Sequence, residues 1–146
     1  MEPIENFSVR LSIDSLNAEF AWCLDHENYE GLDDLFCDDA TYTSGTRVLR
    51  GRDEIRSFFQ QRAAIGKRST RHMFSGVRIE QHGGLVRATS VWMSFAVNGP
   101  VPADEVPVYM VADFFDTYKK GPDDKWRILE RRIAGVFRNP DAAPRT

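Results

Sequence analysis

The segment RHMFSGVRIEQHGGLVRATSVWMSFAVN, residues 71–98, decides the fold because it has the pattern of two long β-strands joined by a tight turn. Apolar and polar residues alternate on either side of Gly83-Gly84, and a glycine pair between two such runs is typical of a β-hairpin. Two further β-rich runs follow at residues 106–118 and 126–137, each preceded by a turn that contains proline or glycine. The second half of the chain is therefore predicted to form four long strands.

The residues before this segment are predicted to be mainly helical. Residues 9–25 carry apolar side chains at spacings of three and four, which indicates an amphipathic helix. A short helix fits residues 29–36, and residues 51–65 return to helical spacing. Between these two helices, residues 40–44 and 47–49 are typical of a short strand pair around a glycine.

The order of these elements predicts an α+β fold. Helices and strands occupy separate blocks, which favours a mostly antiparallel sheet wrapped on the N-terminal helices. The predicted strands exceed the average of about 5–6 residues, and long strands twist and coil, so the curved sheet should enclose an internal pocket. Residues 1–138 are expected to form one domain, and residues 139–146, which include two prolines, are expected to form a loose C-terminal tail.

The composition excludes several classes of protein. The formal net charge of −3 argues against nonspecific nucleic-acid binding, which depends on phosphate neutralisation. No uninterrupted apolar run is long enough to span a membrane, and the acidic N-terminus lacks the apolar core of a secretory signal. Cys23 and Cys37 stand in apolar contexts without metal-ligand spacing, so both are expected to be free thiols of a cytoplasmic protein.

The sequence contains no motif for a cofactor or a metal. There is no glycine-rich nucleotide loop, no HExxH and no GxSxG, and the histidines lack the spacing of a metal site. Aromatic residues make up 12% of the chain, enough to build a core with an apolar pocket in it. Any chemistry is therefore expected to be cofactor-free acid–base work on a small molecule.

Asp25 ends the first predicted helix, where a carboxylate is unfavourable because it lies at the negative end of the helix dipole. Trp22 lies three residues before it, and this spacing places the two side chains on one helix face. Asp25 is therefore either a solvated carboxylate at a helix end or the partner of a functional group. The pattern alone leaves both interpretations open.

His72 opens the first long strand, whereas His26 and His82 lie in polar turns. An imidazole changes charge near physiological pH and can act as a general base, and a nearby carboxylate would hold it in one tautomer. We therefore expect His72 to lie within hydrogen-bonding distance of Asp25. The alternative is a histidine that bonds to the backbone at a strand end.

Charged residues also occur inside the apolar runs of the last two strands. Alternation places Asp113 and Asp116 on opposite faces, and Asp113 is predicted to lie in the pocket with Asp116 on the surface. A bulge in the strand would instead turn Asp113 to solvent. Arg131 lies in the middle of its strand, where it would either hold a substrate oxyanion or form a surface ion pair.

Four segments together resemble the SnoaL-like branch of the NTF2-like superfamily over nearly the whole chain. The resemblance is carried by AEFAWCLDHENYEGLDDLFCDDATY at 18–42, RVLRGRDEIRSFF at 47–59, STRHMFSGVRI at 69–79 and DFFDTYKKGPDDKWRILERR at 113–132. The subgroup that they resemble contains scytalone dehydratase, hexachlorocyclohexane dehydrochlorinase and the β subunits of ring-hydroxylating dioxygenases. The resemblance implies a cone-shaped NTF2-like fold with an internal pocket.

The same resemblance implies a site. In the two lyases of this subgroup, the working pair is an aspartate at the end of the first helix and a histidine that opens the first long strand. Asp25 and His72 match these positions. The resemblance to the dehydrochlorinase also places Tyr42 and Arg131 in the pocket. Asp113 has no counterpart in either lyase.

Two departures from these relatives narrow the reaction. Phe20 stands where the dehydrochlorinase has a pocket lysine, so halide elimination is not expected. Leu24 precedes Asp25 where scytalone dehydratase has a tyrosine, and no second histidine fits its pocket, so that dehydration is not expected either. Phe20 and Trp22 are instead predicted to contact the substrate.

These expectations favour a cofactor-independent lyase, dehydratase or isomerase for a small hydrophobic molecule that is cyclic or aromatic. His72 would abstract a proton and Asp25 would orient it. Tyr42 or Arg131 would stabilise the developing negative charge, with Asp113 as a second acid. The alternative is a non-catalytic domain that binds a small molecule or supports another subunit, as the dioxygenase β subunits do. The long apolar strands also predict a homodimer or homotrimer formed through the outer sheet face.

Overall fold

Two α-helices lie against a six-stranded sheet in the computed structural model, which describes residues 3–146. The helices are α1, Pro3–Asp25, and α2, Arg52–Ile65, and two short 3-10 helices span Tyr29–Asp34 and Pro140–Ala142. None of the helices in this part of the chain combines the length and the apolar composition that crossing a membrane requires.

The six strands form one sheet in which almost all neighbouring strands are antiparallel. They are β1 Phe36–Ser44, β2 Arg47–Arg50, β3 Ser69–His82, β4 Leu85–Val97, β5 Val108–Lys120 and β6 Trp126–Arg138. Their order in the sheet is β2-β1-β6-β5-β4-β3. β1 and β6 pair in parallel, and the other neighbouring strands pair in antiparallel fashion. This arrangement confirms the predicted α+β NTF2-like fold with a curved, mostly antiparallel sheet.

An irregularity in β3 decides which of its side chains face the helices. The pairing of β3 with β4 shifts between Ser75 and Arg78. Gly76, within this shift, has φ +64°, a left-handed conformation that favours glycine. His72 before the shift and Val77 after it therefore both face the interior, although strict alternation puts them on opposite faces.

A second irregularity acts in the same way in β6. The register between β5 and β6 skips Leu129, which is left without a partner. Ile128 and Arg131 are 0% and 1% exposed, although strict alternation would place them on opposite faces. The bulge thus turns a charged side chain into the protein interior.

Aromatic side chains form much of the core between the helices and the sheet. Phe20 of α1 meets the rings of Phe36 and Trp92 edge-on, with centroids 6.1 and 5.8 Å apart. Trp92 in turn stacks on Phe114, with centroids 4.6 Å apart. Full burial of a large apolar side chain stabilises a protein by about 1.5–3 kcal/mol, so these rings hold α1 firmly on the sheet.

The C-terminal segment packs against the rest of the domain, so the prediction of a loose tail is wrong. Ala142 is 3% exposed. Arg68 donates to the backbone carbonyl of Ala142 at 2.8 Å, and the amide of Asn98 donates to that of Ala143 at 2.8 Å. Composition alone suggested disorder because the side chains that hold this segment come from distant parts of the sequence.

Candidate active site

A cavity of about 490 Å³ lies between the helices and the inner face of the sheet. Its size falls within the roughly 300–1,000 Å³ that is usual for small-molecule sites. Phe20, Trp92 and Phe114 line it together, and we call these three rings the aromatic floor. His72 and Tyr42 line the same cavity, so polar groups face a mostly apolar space.

Asp25 and His72 meet beside this cavity because α1 packs on β3 and ends where that strand begins. The carboxylate Oδ1 of Asp25 lies 2.6 Å from Nδ1 of His72. The two side chains are only 7% and 19% exposed. The structure thus brings together the two residues that the sequence analysis paired, at a hydrogen-bonding distance.

Two further hydrogen bonds hold the Asp25 carboxylate in place. The hydroxyl of Thr70 donates to Oδ1 at 2.9 Å, and the backbone N–H of His72 donates to Oδ2 at 2.9 Å. Thr70 and His72 are two residues apart on β3 and therefore share one face of the strand. The start of β3 forms a cradle that fixes the carboxylate against the imidazole ring.

The contact with Asp25 determines which nitrogen of His72 is available. When Nδ1–H is donated to the carboxylate, Nε2 carries a lone pair. Nε2 makes no hydrogen bond to any residue that the structure describes. Because the ring lines the cavity, Nε2 is the atom that a bound molecule would meet. An imidazole oriented in this way can accept a proton and return it.

Tyr42 lines the cavity from β1 and is 6% exposed. Its ring packs between Phe20 and Phe59, with centroids 6.4 and 5.8 Å away. Burial raises the pKa of Tyr42 to about 12, against an opposing effect of the nearby Arg131 cation. The hydroxyl is therefore protonated at neutral pH and can donate a hydrogen bond to an oxygen of a bound molecule.

The raised pKa of Tyr42 predicts a loss of stability at alkaline pH. A phenol in an unfolded chain ionises near pH 10, whereas Tyr42 in the folded protein ionises near pH 12. The unfolding free energy should therefore fall as the pH rises between these values, by about 1.4 kcal/mol per unit. Denaturant unfolding at about pH 9 and about pH 11 should show a smaller fall for Tyr42→Phe than for the wild type. An equal fall in both proteins would contradict this assignment.

Arg131 lies behind the aromatic floor and does not line the cavity, where the sequence analysis expected it to contact the substrate. Its guanidinium carbon is 4.5 Å from the ring centroid of Phe20 and 4.9 Å from that of Phe114. Nε and Nη2 donate to the two carboxylate oxygens of Asp116 at 2.9 and 3.0 Å, and Nη2 also donates to Asn17. Burial alone would lower the pKa of Arg131, but the facing carboxylate raises it above its usual range.

Asp113 lies on the outer face of the sheet and Asp116 on the inner face, the reverse of the sequence prediction. Ala112, Phe114 and Asp116 alternate along β5 and are all 5% exposed or less. Asp113 pairs with Val91, which is 46% exposed. Both faces of β5 are rich in apolar residues, so alternation separated the two aspartates correctly but could not say which face is inside.

Trp22 is 57% exposed and packs against His26, with the two rings tilted to each other and their centroids 3.8 Å apart. It does not line the cavity, although the sequence analysis expected it to contact the substrate. Three residues along a helix correspond to a rotation of about 300°. Trp22 therefore lies about 60° around α1 from Asp25, on the side that faces solvent, whereas Ala21 faces the core and is 8% exposed.

The sequence analysis missed the polar residues that surround Arg131. Asn17 is 1% exposed, and its amide donates to the hydroxyl of Tyr118 at 2.9 Å. That hydroxyl donates to Asp116 at 2.8 Å. A signal was present, because Asn17 stands four residues after the buried Ile13 on the apolar stripe of α1, and a polar residue in such a position needs a partner.

Neither cysteine takes part in the cavity. Cys23 is buried and Cys37 half-buried, and both are free. Burial raises the pKa of both thiols, so they are poor nucleophiles at neutral pH. Within residues 3–146, no three His, Cys, Asp or Glu side chains come together in a group that could hold a metal ion.

Comparison with known proteins shows the family to which the chain belongs. The sequence profile of the SnoaL-like domain matches residues 5–132, and the chain therefore belongs to the SnoaL-like family. No protein of curated function matches it significantly.

Three solved structures of bacterial proteins share the fold. ActVI-ORFA from Streptomyces coelicolor is 17% identical, over 88% of this chain and 97% of its own, with a TM-score of 0.79. A proposed scytalone dehydratase from Novosphingobium aromaticivorans is 20% identical, over 92% and 88%, with a TM-score of 0.79. The β subunit of a proposed aromatic-ring-hydroxylating dioxygenase from the same species is 18% identical, over 95% and 98%, with a TM-score of 0.77. Identities this low establish a common fold and no more.

Proposed function

We propose that the protein is a cofactor-independent lyase, dehydratase or isomerase that acts on a small hydrophobic molecule with a cyclic or aromatic skeleton. The observation that carries the proposal is the 2.6 Å contact between Asp25 and His72 beside a cavity with an aromatic floor. Membership of the SnoaL-like family and the likeness to a proposed scytalone dehydratase support the same class of reaction.

In the proposed reaction, Nε2 of His72 takes a proton from a carbon next to a substrate carbonyl. The Asp25 carboxylate stabilises the imidazolium that forms. The Tyr42 hydroxyl, which makes no hydrogen bond to any residue that the structure describes, donates to the developing enolate oxygen. The imidazolium then returns its proton, either to a leaving hydroxyl, which departs as water, or to another carbon of the same molecule.

Arg131 has an indirect part in this scheme. Its guanidinium lies beneath the rings of Phe20 and Phe114 and is held there by the carboxylate of Asp116. Arg131 is therefore a positioning residue that supports the aromatic floor, on which the substrate skeleton would lie.

A simple bicyclic β-hydroxy ketone tests the proposal. 3-Hydroxy-1-tetralone loses the proton at C2 and the hydroxyl at C3 as water, and the product rearranges to 1-naphthol. We expect the protein to accelerate the appearance of naphthol fluorescence and to exchange the C2 proton in D2O. The proposed function would be wrong if the protein catalysed neither reaction of this compound and also failed to exchange protons of 2-tetralone and 2-cyclohexenone.

A role as a supporting subunit is the alternative. The likeness to a dioxygenase β subunit extends over 95% of this chain, with a TM-score of 0.77. If this alternative holds, the protein should co-purify with a Rieske-type large subunit when the two are expressed together, and it should show no proton exchange of its own.

We further propose that the outer face of the sheet holds a homodimer or homotrimer together. Met73, Val91 and Met93 are 62%, 46% and 38% exposed on adjoining positions of β3 and β4. Exposed apolar patches of this kind mark interfaces. Light scattering at micromolar concentration should give the mass of a dimer or trimer, and the double variant Val91→Lys/Met93→Lys should shift it to the monomer. A monomeric wild type would contradict this.

A cytoplasmic location, expected from the two unpaired cysteines, stays a prediction.

A further inference from the structure

One wall of the cavity consists of arginine side chains. Arg47 from β2, Arg62 from α2 and Arg68 from the segment after α2 all line the cavity, and we call these three residues the arginine wall. They come from separate parts of the fold, so the packing of α2 beside β1 and β2 is what brings them to one space.

Two members of the arginine wall share a single aromatic ring. The guanidinium carbons of Arg47 and Arg62 each lie 4.5 Å from the ring centroid of Phe58. Arg62 also lies 5.8 Å from that of Phe59. Two positive charges are therefore held close to each other by aromatic faces, and such contacts offset only part of their repulsion.

None of the acidic side chains that the structure describes pairs with the arginine wall. Arg68 lies over Tyr109 and donates to the carbonyl of Ala142 at 2.8 Å. Among the side chains that the structure describes, no carboxylate lies within 4.0 Å of any of these three arginines. Elsewhere this chain does pair its arginines, as the ion pairs of Arg56, Arg127 and Arg131 with aspartates demonstrate.

The charges of these three arginines make this side of the cavity electropositive. Partial burial lowers the pKa of Arg62 and Arg68, and each is also affected by a neighbouring arginine. The guanidinium groups stay charged at neutral pH all the same. Glu27 is the one acidic side chain that lines the cavity among the residues described, and it is exposed. Charged groups with so little compensation bind an anion favourably.

We propose that the arginine wall binds an anionic group, such as a carboxylate, on an aromatic ligand whose ring lies on the aromatic floor. The assignment narrows the substrate from a neutral hydrophobic molecule to an aromatic acid. This assignment rests on the proposed function in one respect: the end of the substrate that reacts is taken to be the end that faces His72. Anion binding itself requires no turnover, so the two proposals can fail separately.

A matched pair of fluorescent probes tests the anion site. The dye 8-anilino-1-naphthalenesulfonate and its uncharged analogue N-phenyl-1-naphthylamine share one ring system and differ in the sulfonate. A charge-assisted hydrogen bond is worth roughly a ten- to hundredfold gain in affinity, so the full-length protein should bind the sulfonate at least about tenfold more tightly. Arg62→Met should remove most of that difference and leave the affinity for the uncharged dye unchanged.

Arg132→Met is the matched control. Arg132 also lies over an aromatic ring, 4.2 Å from the centroid of Phe115, but on the outer face of the sheet. We expect this variant to bind both dyes like the wild type. If Arg62→Met is unfolded at room temperature, the two dye affinities can be measured on Arg47→Met. Arg47 is exposed, so its replacement leaves the core intact.

Three outcomes would show that the anion site is wrong. The wild type could bind the two dyes with equal affinity, or Arg62→Met and Arg47→Met could both bind the sulfonate as tightly as the wild type does. The third is that Arg132→Met, and not the variants of the arginine wall, loses sulfonate binding. The same titrations on His72→Ala separate this result from catalysis, because sulfonate binding should persist in that variant. If the wild type binds the sulfonate more tightly than the uncharged dye but shows no turnover, the anion site is supported and the proposed reaction is wrong.

Discussion

Replacing His72 by alanine is expected to lower the rate of 1-naphthol formation from 3-hydroxy-1-tetralone by about 10²–10⁴-fold. The substitution removes Nε2, the proposed base, from a side chain that lines the cavity and is not part of the buried apolar cluster. Asp25→Asn should cause a loss in the same direction, because an amide cannot stabilise the imidazolium as a carboxylate does. Naphthol fluorescence reports the rate, and the melting temperature of His72→Ala should stay within a few degrees of the wild type.

His82→Ala is the matched control for this prediction. His82 also lies near a carboxylate, with Nε2 3.4 Å from the Glu80 carboxylate, but at an exposed strand end. We expect it to turn over the substrate at the wild-type rate. A His72→Ala protein that keeps its turnover but loses stability would show that His72 is structural, and the proposed mechanism would be wrong.

Replacing Asp116 by leucine is expected to lower the unfolding free energy by about 3–5 kcal/mol, the usual result of breaking a buried ion pair from one side. The variant leaves the Arg131 side chain, which is 0% exposed, without its carboxylate. Nη1 of that guanidinium already lacks a hydrogen-bond partner among the residues described, and the acceptors that remain, Asn17 and the Tyr118 hydroxyl, carry no charge to compensate the arginine. Urea unfolding of the variant and the wild type measures the difference.

Two further variants make this stability measurement specific. Asp38 pairs with Arg52 at 3.0 Å but is 90% exposed, so Asp38→Ala should cost no more than about 1 kcal/mol. The double variant Arg131→Met/Asp116→Leu should recover part of the loss, because it leaves neither charge buried. If Asp116→Leu and Asp38→Ala lost the same free energy, the buried pair would have no special importance for stability.

The elements with strong periodic signals could be predicted from sequence. The helix predicted at residues 51–65 spans Arg52–Ile65, and the strand predicted at 126–137 spans Trp126–Arg138. The pairing of Asp25 with His72 was also accessible, because each stands at the end of an element and matches a family position. α1 begins at Pro3, earlier than predicted, which agrees with the tolerance of a first helical turn for proline.

The inward-facing residues of the strands were beyond sequence reasoning for a physical reason. A shift of one residue moves every later side chain of a strand to the other face. The bulges at Gly76 and Leu129 cause such shifts, and nothing in the local sequence requires them. For Asp113 and Asp116 the difficulty was different, because both faces of their strand are apolar and the choice depends on where α1 packs.

β1 can join the sheet only after β6 exists. Tyr42 of β1 pairs with Arg131 of β6, whereas β3, β4, β5 and β6 each pair with the strand next to them in the sequence. Contacts between residues far apart in the sequence form late, because closing a long loop costs chain entropy before the contact adds any stability. During synthesis the β3–β4 hairpin can form early, while β1 and β2 await a strand that has not yet left the ribosome. The side of the cavity that contains Tyr42 is therefore the last to be completed as the protein is made.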